Sequence, residues 1–321
     1  MIRYLIAFAV LCFATAASAQ TPDTVFIEKL TWEEVRDAIA AGKTTIIVPT
    51  GGTEQNGPHM ALGKHNVRIA ANAENIARRL GNALVAPVVA YTPEGGIDPP
   101  TGHMRFPGTI SIPDPVFRQV LEYIARSLKQ HDFRDVVFIG DSGPNQAGQI
   151  AVAATLNAEW AGGNTRVHAI PGYYRSDPEG DAAIMMARGI KREQIGNHAD
   201  PRDTSQMMAV DPTMVRNSKI VAADGKNGIQ GDPRGSTAEI GRALIDKNMA
   251  RTVDLLRQAI AARGAGSRLF EESCDTDLAS PSRLCRGCPS GVAAHGRDVV
   301  EGPRPPKRGP APGAPDASIG K

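Results

Sequence analysis

Aromatic residues are scarce in this sequence, and neither sign of charge is in clear excess. Phe, Trp and Tyr make up 5% of the 321 residues, and the formal net charge is +2. The low aromatic content argues against a surface on which nucleic-acid bases stack. The balanced charge argues against a general affinity for nucleic acid or an anionic membrane. With 41% hydrophobic and 22% charged residues, the composition is typical of a soluble globular protein.

The apolar stretch at the N-terminus, Leu5 to Ala16, is short for a transmembrane helix, which needs about 20 residues. Arg3 precedes it, and Ala17-Ser18-Ala19 follows as an A-x-A cleavage signal, an order typical of signal peptides. A buried first helix is the alternative interpretation. We predict a signal peptide over residues 1–19 and a free periplasmic or secreted protein, with no membrane attachment after cleavage.

Cysteine is rare as well. The chain has four cysteines, and signal cleavage would leave Cys274, Cys285 and Cys288. An exported location permits disulfides, but three cysteines leave one unpaired or paired with another chain. Their spacing, with the later His295, could also belong to a zinc site, which needs four well-placed ligands. A local disulfide and the absence of any fixed structure are the other interpretations.

The composition changes after about Gly264, where Gly, Pro, Ser, Arg and Lys dominate. Residues 265–321 are therefore predicted to form a disordered tail. Before it, residues 20–264 alternate between helix and strand patterns. Strands are predicted at Thr44–Val48, Ala83–Tyr91, Val136–Ile139 and Arg166–Ile170. Helices are predicted at Thr31–Ala41, Val67–Leu80, Pro115–Lys129 and Arg242–Ala262, and another runs from the end of the loop Gly140–Asn145 to about Trp160.

This alternation indicates parallel βαβ units in one layered α/β domain. Ligands of open α/β sheets bind beyond the carboxyl ends of the strands. The loops that begin at Pro49, Thr92 and Gly140 follow strands in this way. We therefore expect these three loops to converge on one cleft.

Four blocks of sequence carry a family pattern. They are P-T-G-G-T-E-Q-N-G-P-H at Pro49–His59, F-P-G-T at Phe106–Thr109, His198 followed by D-T-S at Asp203–Ser205, and G-D-P-R at Gly231–Arg234. In content and order these blocks resemble the creatininase (creatinine amidohydrolase) family, whose first block typically reads P-x-G-x-x-E-Q-H-G-x-H. The resemblance extends over residues 26 to 262.

The resemblance implies a three-layer αβα fold with a mainly parallel central sheet. Such enzymes hydrolyse cyclic or linear amides, usually as hexamers, with two divalent cations, zinc or manganese, at the strand ends. In the family a glutamate and a histidine each bind one metal, an aspartate bridges both, and an N-G-H-x-x-N loop completes the set. A metal-activated water then attacks the amide carbonyl.

The metal ligands implied by the family are largely missing here. Glu54 keeps the family glutamate, but Asn56 stands at the first histidine, His65 at the bridging aspartate, Ser142 at the second histidine and Pro144 at the acidic position. An imidazole nitrogen cannot bridge two cations, and a neutral histidine cancels no charge. We therefore predict one divalent ion at most, either zinc or manganese.

Two interpretations of the altered site are open. Glu54, His65 and Asp141 could supply three metal ligands, with His59 nearby and one position left for water. Alternatively, Glu54 and His65 form a hydrogen bond across a cleft that holds no metal. His198 aligns with a family histidine that serves in proton transfer. We thus predict Glu54 and His198 as catalytic residues, and the substrate pocket is predicted from His103, Tyr174 and Asp203.

Three functions compete. The first is an exported amidohydrolase of C–N bonds that acts on a small-molecule amide with a rebuilt site. The second is a binding or scaffold protein that keeps the fold without its chemistry. The third is metal-free hydrolysis with His198 and Asp203 as acid and base. The family prior favours the first by analogy.

Export is directly testable. Mass spectrometry of the protein from its native host should show a mature chain that begins at Gln20, because Ala17-Ser18-Ala19 places the cleavage after Ala19. Full-length protein retained in the cytoplasm would contradict the prediction.

Overall fold

The computed structural model describes residues 22–174 and 177–274. The predicted signal peptide and the segment with Cys285 and Cys288 lie outside this part of the chain. Helices α1 to α7 are Trp32–Ala40, Lys64–Leu80, Asp114–Gln130, Asn145–Glu159, Pro178–Met186, Pro201–Val210 and Ala238–Cys274. Strands β1 to β4 are Thr45–Thr50, Ala83–Val85, Asp135–Gly140 and Arg166–Ala169.

The four strands form one parallel sheet in the order β2-β1-β3-β4. Side chains of successive strand residues point to opposite faces, so Ile46 and Ile47 belong to different apolar clusters. One face packs against α2 and α7, and the other packs against α3 and α4. The predicted three-layer αβα fold with a parallel sheet is therefore confirmed.

The helix ends follow local sequence signals. The Thr31 hydroxyl accepts a hydrogen bond from Glu34 N, and the Glu34 side chain accepts one from Thr31 N, so the two residues form a capping box at the start of α1. Gly81 closes α2 with φ of 83°, a conformation that glycine adopts without steric cost.

The structure differs from what the sequence predicted in three respects. The predicted strand Ala83–Tyr91 is a continuous strand over Ala83–Val85, and beyond it Val89 pairs with Thr50 of β1 as an isolated bridge. Helices α5 and α6 were not predicted. The last helix continues to Cys274, past the boundary that composition placed after 264. Within the described ranges, no helix combines the length and the apolar character that crossing a membrane requires.

The packing of α7 on the sheet can be tested at two adjacent leucines. Leu256 is fully buried in the cluster shared with α2, whereas Leu255 is partly buried at its edge. Leu256→Ala should lower the free energy of unfolding by about 2–5 kcal/mol, the usual range for a buried leucine. Leu255→Ala is the matched control and should cost clearly less in a urea titration. Equal losses would contradict the described orientation of α7.

Candidate functional site

A polar cavity of about 160 Å³ lies at the carboxyl ends of the central strands. Glu54 comes from the loop after β1, His103 from the loop after β2, and Ser142 from the loop after β3. The three loops therefore converge as expected. The lining is completed by Lys64, His65, Gly143, Pro144, Tyr174, Asn197, His198, Asp203 and Gln230.

Glu54 is the shared partner of three histidines. Its Oε1 lies 2.7 Å from His65 Nε2 and 3.6 Å from His198 Nδ1, and its Oε2 lies 3.1 Å from His103 Nε2. Burial would raise the pKa of Glu54, but the positive charge of His65 and its hydrogen bond hold that pKa well below the ordinary value. Glu54 is therefore an ionised carboxylate in a buried setting.

His65 lies between two buried carboxylates. While Nε2 faces Glu54, Nδ1 faces Asp141 Oδ2 at 2.8 Å. Carboxylate oxygens only accept hydrogen bonds, and imidazole donates from both nitrogens only when doubly protonated. In this geometry His65 is thus an imidazolium that joins the two acids. The hydrogen bond between Glu54 and His65, which was the alternative to their binding a metal, is present in the structure.

Two further cations belong to the same network. Arg68 Nη2 lies 2.8 Å from Asp141 Oδ2, and Arg68 Nη1 lies 3.0 Å from Asp203 Oδ1. Lys64 Nζ donates to Asp203 Oδ2 at 3.1 Å, and its side chain is 0% exposed. Burial would raise the pKa of Asp141, but Arg68 and the hydrogen bond from His65 keep it below its ordinary value. Lys64, His65 and Arg68 thus match Glu54, Asp141 and Asp203 in charge.

His198 presents a lone pair toward Glu54. Its Nε2 lies 2.9 Å from the backbone oxygen of Gln55 and must carry the proton, because a carbonyl only accepts. This tautomer leaves Nδ1 unprotonated on the side of Glu54. Burial, reinforced by the charge of Lys64, lowers the pKa of His198 to about 3. His198 is therefore a neutral acceptor at physiological pH.

His103 has the opposite tautomer. The amide of Gln55 is oriented by Gly57 N, which donates to Oε1 at 2.9 Å, and by its own Nε2, which donates to Gly228 O at 3.1 Å. The same Nε2 lies 2.9 Å from His103 Nδ1. His103 Nδ1 is then an acceptor, and Nε2 carries the proton that faces Glu54.

Glu54, His103 and His198 could hold one metal ion. Each offers one ligand atom, and these atoms lie within 4.8 Å of one another. When an ion is bound at about 2.0–2.1 Å, the distance between two neighbouring ligand atoms is close to the distances that separate Glu54 from His103 and His198. His198 fits in its present tautomer, with the Gln55 carbonyl as the outer partner that such ligands require. His103 fits once the Gln55 amide turns over, so that Oε1 accepts from Nδ1.

The predicted metal ligands Glu54, His65 and Asp141 lie together, but in an arrangement that does not suit a metal ion. The three side chains are in direct contact, but both His65 nitrogens are engaged by the carboxylates, which leaves no lone pair for an ion. His59 forms a hydrogen bond with Thr204 at 2.9 Å. Neither is among the residues whose donor atoms converge in the described part of the chain.

The predicted pocket residues His103, Tyr174 and Asp203 all line the cavity. Sequence reasoning missed Lys64, Arg68 and Gln55. A signal was present: Lys64 and Arg68 are four residues apart and share a helix face, and Arg68 also follows His65 by three residues. Basic residues at this spacing on a first turn are usually solvated, and only the three-dimensional packing shows that these are buried.

Glu94 was missed too, and it lies beside Glu54. It is 2% exposed, accepts a hydrogen bond from the Thr92 hydroxyl at 2.8 Å, and shares a hydrogen bond with Glu54. Burial and the negative charge of Glu54 raise the pKa of Glu94 to about 9. One proton is therefore held between two buried carboxyl groups at neutral pH.

Comparison with known proteins gives the same family as the motifs. The model of the creatininase family, described as creatinine amidohydrolase, matches residues 28–256. The chain is 32% identical to the creatinine amidohydrolase of Pseudomonas putida over 116 residues, which is 36% of this chain and 44% of that enzyme. It is 29% identical over 228 residues to the mycofactocin precursor peptide peptidase of Mycolicibacterium smegmatis, covering 66% of this chain and 84% of the relative.

Solved structures support the fold. A creatinine amidohydrolase structure aligns with a TM-score of 0.61 at 22% identity and covers 74% of this chain and 98% of its own. A structure described as creatininase with manganese aligns with a TM-score of 0.60, also at 22% identity, over 74% of this chain and 98% of its own.

The carboxyl pair predicts a pH dependence of stability. Because the pKa of Glu94 is raised on folding, its contribution is complete below the unfolded value and is lost as pH rises toward 9. In chelator-treated protein, stability should fall between pH 6 and 9 by up to about 1.4 kcal/mol per pH unit from this group. Glu94→Gln keeps both hydrogen bonds without a titrating proton, so urea denaturation should show a flatter profile. Parallel profiles would contradict the protonated pair.

Proposed function

Because the chain belongs to the creatininase family, we propose that it is an exported hydrolase of the C–N bond of a small cyclic or linear amide. The observation that carries the proposal is the arrangement of Glu54, His103 and His198 around one cavity at the strand ends. From the family resemblance we further expect assembly into homo-oligomers, as hexamers. The peptidase and amidohydrolase relatives support cleavage of an amide bond.

The roles of the residues follow from their protonation. His198 Nδ1 is a neutral acceptor near Glu54 and can take a proton from water, while His103 Nε2 can donate one to the departing nitrogen. A base whose pKa is about 3 is weak toward ordinary water at neutral pH. A bound divalent ion would lower the pKa of its water to about 7. One ion, zinc or manganese, held by Glu54, His103 and His198 would use these same two nitrogens as ligand atoms. It would therefore replace their proton-transfer roles and would itself supply the activation of water that this weak base lacks.

Metal-free catalysis by His198 and Asp203 is less well supported. Asp203 Oδ2 accepts from Lys64 and from Ala199 N, and Oδ1 is paired with Arg68. Its lone pairs are committed to these donors, so it is a poor proton acceptor.

A binding protein without activity is the second candidate. The observation in its favour is that His65 occupies Glu54 Oε1 at 2.7 Å, because this contact lowers the basicity of the carboxylate. Activity measurements decide between the two.

Hydrolysis should be measured as amine release from a panel of cyclic and linear amides, with and without zinc or manganese. We expect turnover by the mature protein and a loss of about 100-fold or more in Glu54→Gln and in His198→Asn, because each removes a proton-transfer or ligand group. The control is His131→Asn, at the exposed end of α3. Turnover unaffected by the two site variants would refute the assignment, and no turnover on any amide would favour the binding protein.

Metal content gives an independent measurement. After dialysis against a weak chelator, elemental analysis should find at most one divalent ion per chain, and Glu54→Ala should abolish it. Gln55→Glu should bind the ion more tightly, since a carboxylate accepts from His103 Nδ1–H and leaves Nε2 free as a ligand. Two equivalents in the unmodified chain, or weaker binding in Gln55→Glu, would contradict this account.

A further inference from the structure

Lys64 is a buried cation that adjoins the candidate active site. It is the first residue of α2, its side chain is 0% exposed, and it is among the residues that line the cavity. Lysine is almost never fully buried unless it is paired. The hydrogen bonds and the counter-ion of Lys64 therefore bear on the chemistry of the cavity beside Glu54 and His198.

The pairing of Lys64 is incomplete. An ammonium has three N–H donors, and among the described residues Asp203 Oδ2, at 3.1 Å, is the one hydrogen-bond partner of Nζ. That carboxylate also serves Arg68 at 3.0 Å and lies 3.5 Å from Arg202. Arg68 also pairs with Asp141, and the charge of Asp200 acts on Arg202, whereas Asp203 is the carboxylate that Lys64 contacts. Two N–H donors of the Lys64 ammonium therefore have no hydrogen-bond acceptor among the described residues.

The other groups that line the cavity do not occupy these two N–H donors of Lys64. Glu54 is matched by His65 at 2.7 Å. His198 is neutral, with its pKa lowered by burial. Asn197, Gln230 and Ser142 are uncharged side chains of the same wall. A ligand oxygen that reached Lys64 would therefore meet unused N–H donors of a poorly solvated cation.

We propose that Lys64 binds a negatively charged oxygen in the cavity, and that the amides accepted by the site carry a carboxylate. The proposal rests on the proposed function and narrows its substrate class. Charge-assisted hydrogen bonds are about twice as strong as neutral ones, and a carboxylate would satisfy the donors that Asp203 leaves over. The volume of about 160 Å³ suits a small acid of this kind.

Acetate and acetamide distinguish charge from shape. Isothermal titration of the mature full-length protein, at constant ionic strength and in EDTA, should show acetate binding in the millimolar range and acetamide binding at least ten times more weakly. Lys64→Met, of similar length but without charge, should weaken acetate binding tenfold or more. Lys247→Met is the matched control, because Lys247 pairs with Asp177 and Asp181 and does not line this cavity.

A second variant covers the case in which Lys64→Met fails to fold. Lys64→Met/Asp203→Asn removes one charge of each sign and should also lose acetate binding, whereas Asp203→Asn alone keeps Lys64 and should bind acetate at least as tightly as the unmodified chain. Equal affinity for acetate and acetamide, or unchanged acetate affinity without Lys64, would overturn the proposal. Binding that disappears in EDTA and returns with zinc would assign the anion to a metal ion and overturn it as well.

This measurement is independent of turnover. A negative acetate titration leaves the hydrolase assignment to be judged by the amide panel. A negative panel leaves the anion site to be judged by the titration.

Discussion

The imidazolium of His65, held between Glu54 and Asp141, is the interaction on which the arrangement of the site depends. It joins the loop after β1 to the loop after β3 through α2, with contacts of 2.7 and 2.8 Å. Both carboxylates are buried, and an uncompensated buried charge costs several kcal/mol. The positive charge of His65 therefore allows Glu54 and Asp141 to remain ionised at the buried strand ends, where unpaired carboxylates would be strongly destabilising.

The rest of the network extends the same solution. Arg68 connects Asp141 to Asp203, and Lys64 supplies a second cation to Asp203. All three cations come from the first five residues of α2, where residues three and four positions apart share a face. A single helix thus delivers three positive charges to one cleft, and its own packing against the sheet fixes their positions.

How much of the fold could be predicted from the sequence depends on the kind of sequence signal. The sheet followed from alternating β-branched and helical segments, because burial on both faces imposes that pattern. The segment Val88–Tyr91 has the same composition as a strand, yet only tertiary hydrogen bonding decides where a strand ends. Helices α5 and α6 were missed because short helices between loops carry weak periodicity.

The site residues also differ in whether the sequence could identify them. Glu54 and His198 could be found because family blocks fix their positions, and His103 because it stands just before the F-P-G-T block. The structure brings all three to one cavity. Lys64, Arg68 and Glu94 could not be found in that way. Their importance lies in desolvation and in mutual charge, which depend on side chains far apart in sequence: Lys64 and Asp203 are 139 residues apart.

Charge balance explains why the altered ligands form a set. In the present cluster Lys64, His65 and Arg68 cancel Glu54, Asp141 and Asp203, so a bound divalent ion would have to be accompanied by anions such as hydroxide. An aspartate at position 65 alone would remove one cation and add one anion, which leaves a deficit that one divalent ion neutralises. A second divalent ion would require that Lys64 and Arg68 become neutral as well. Histidine at position 65 together with the cations at positions 64 and 68 therefore disfavours a second divalent ion, because each added ion increases the buried charge that must be compensated.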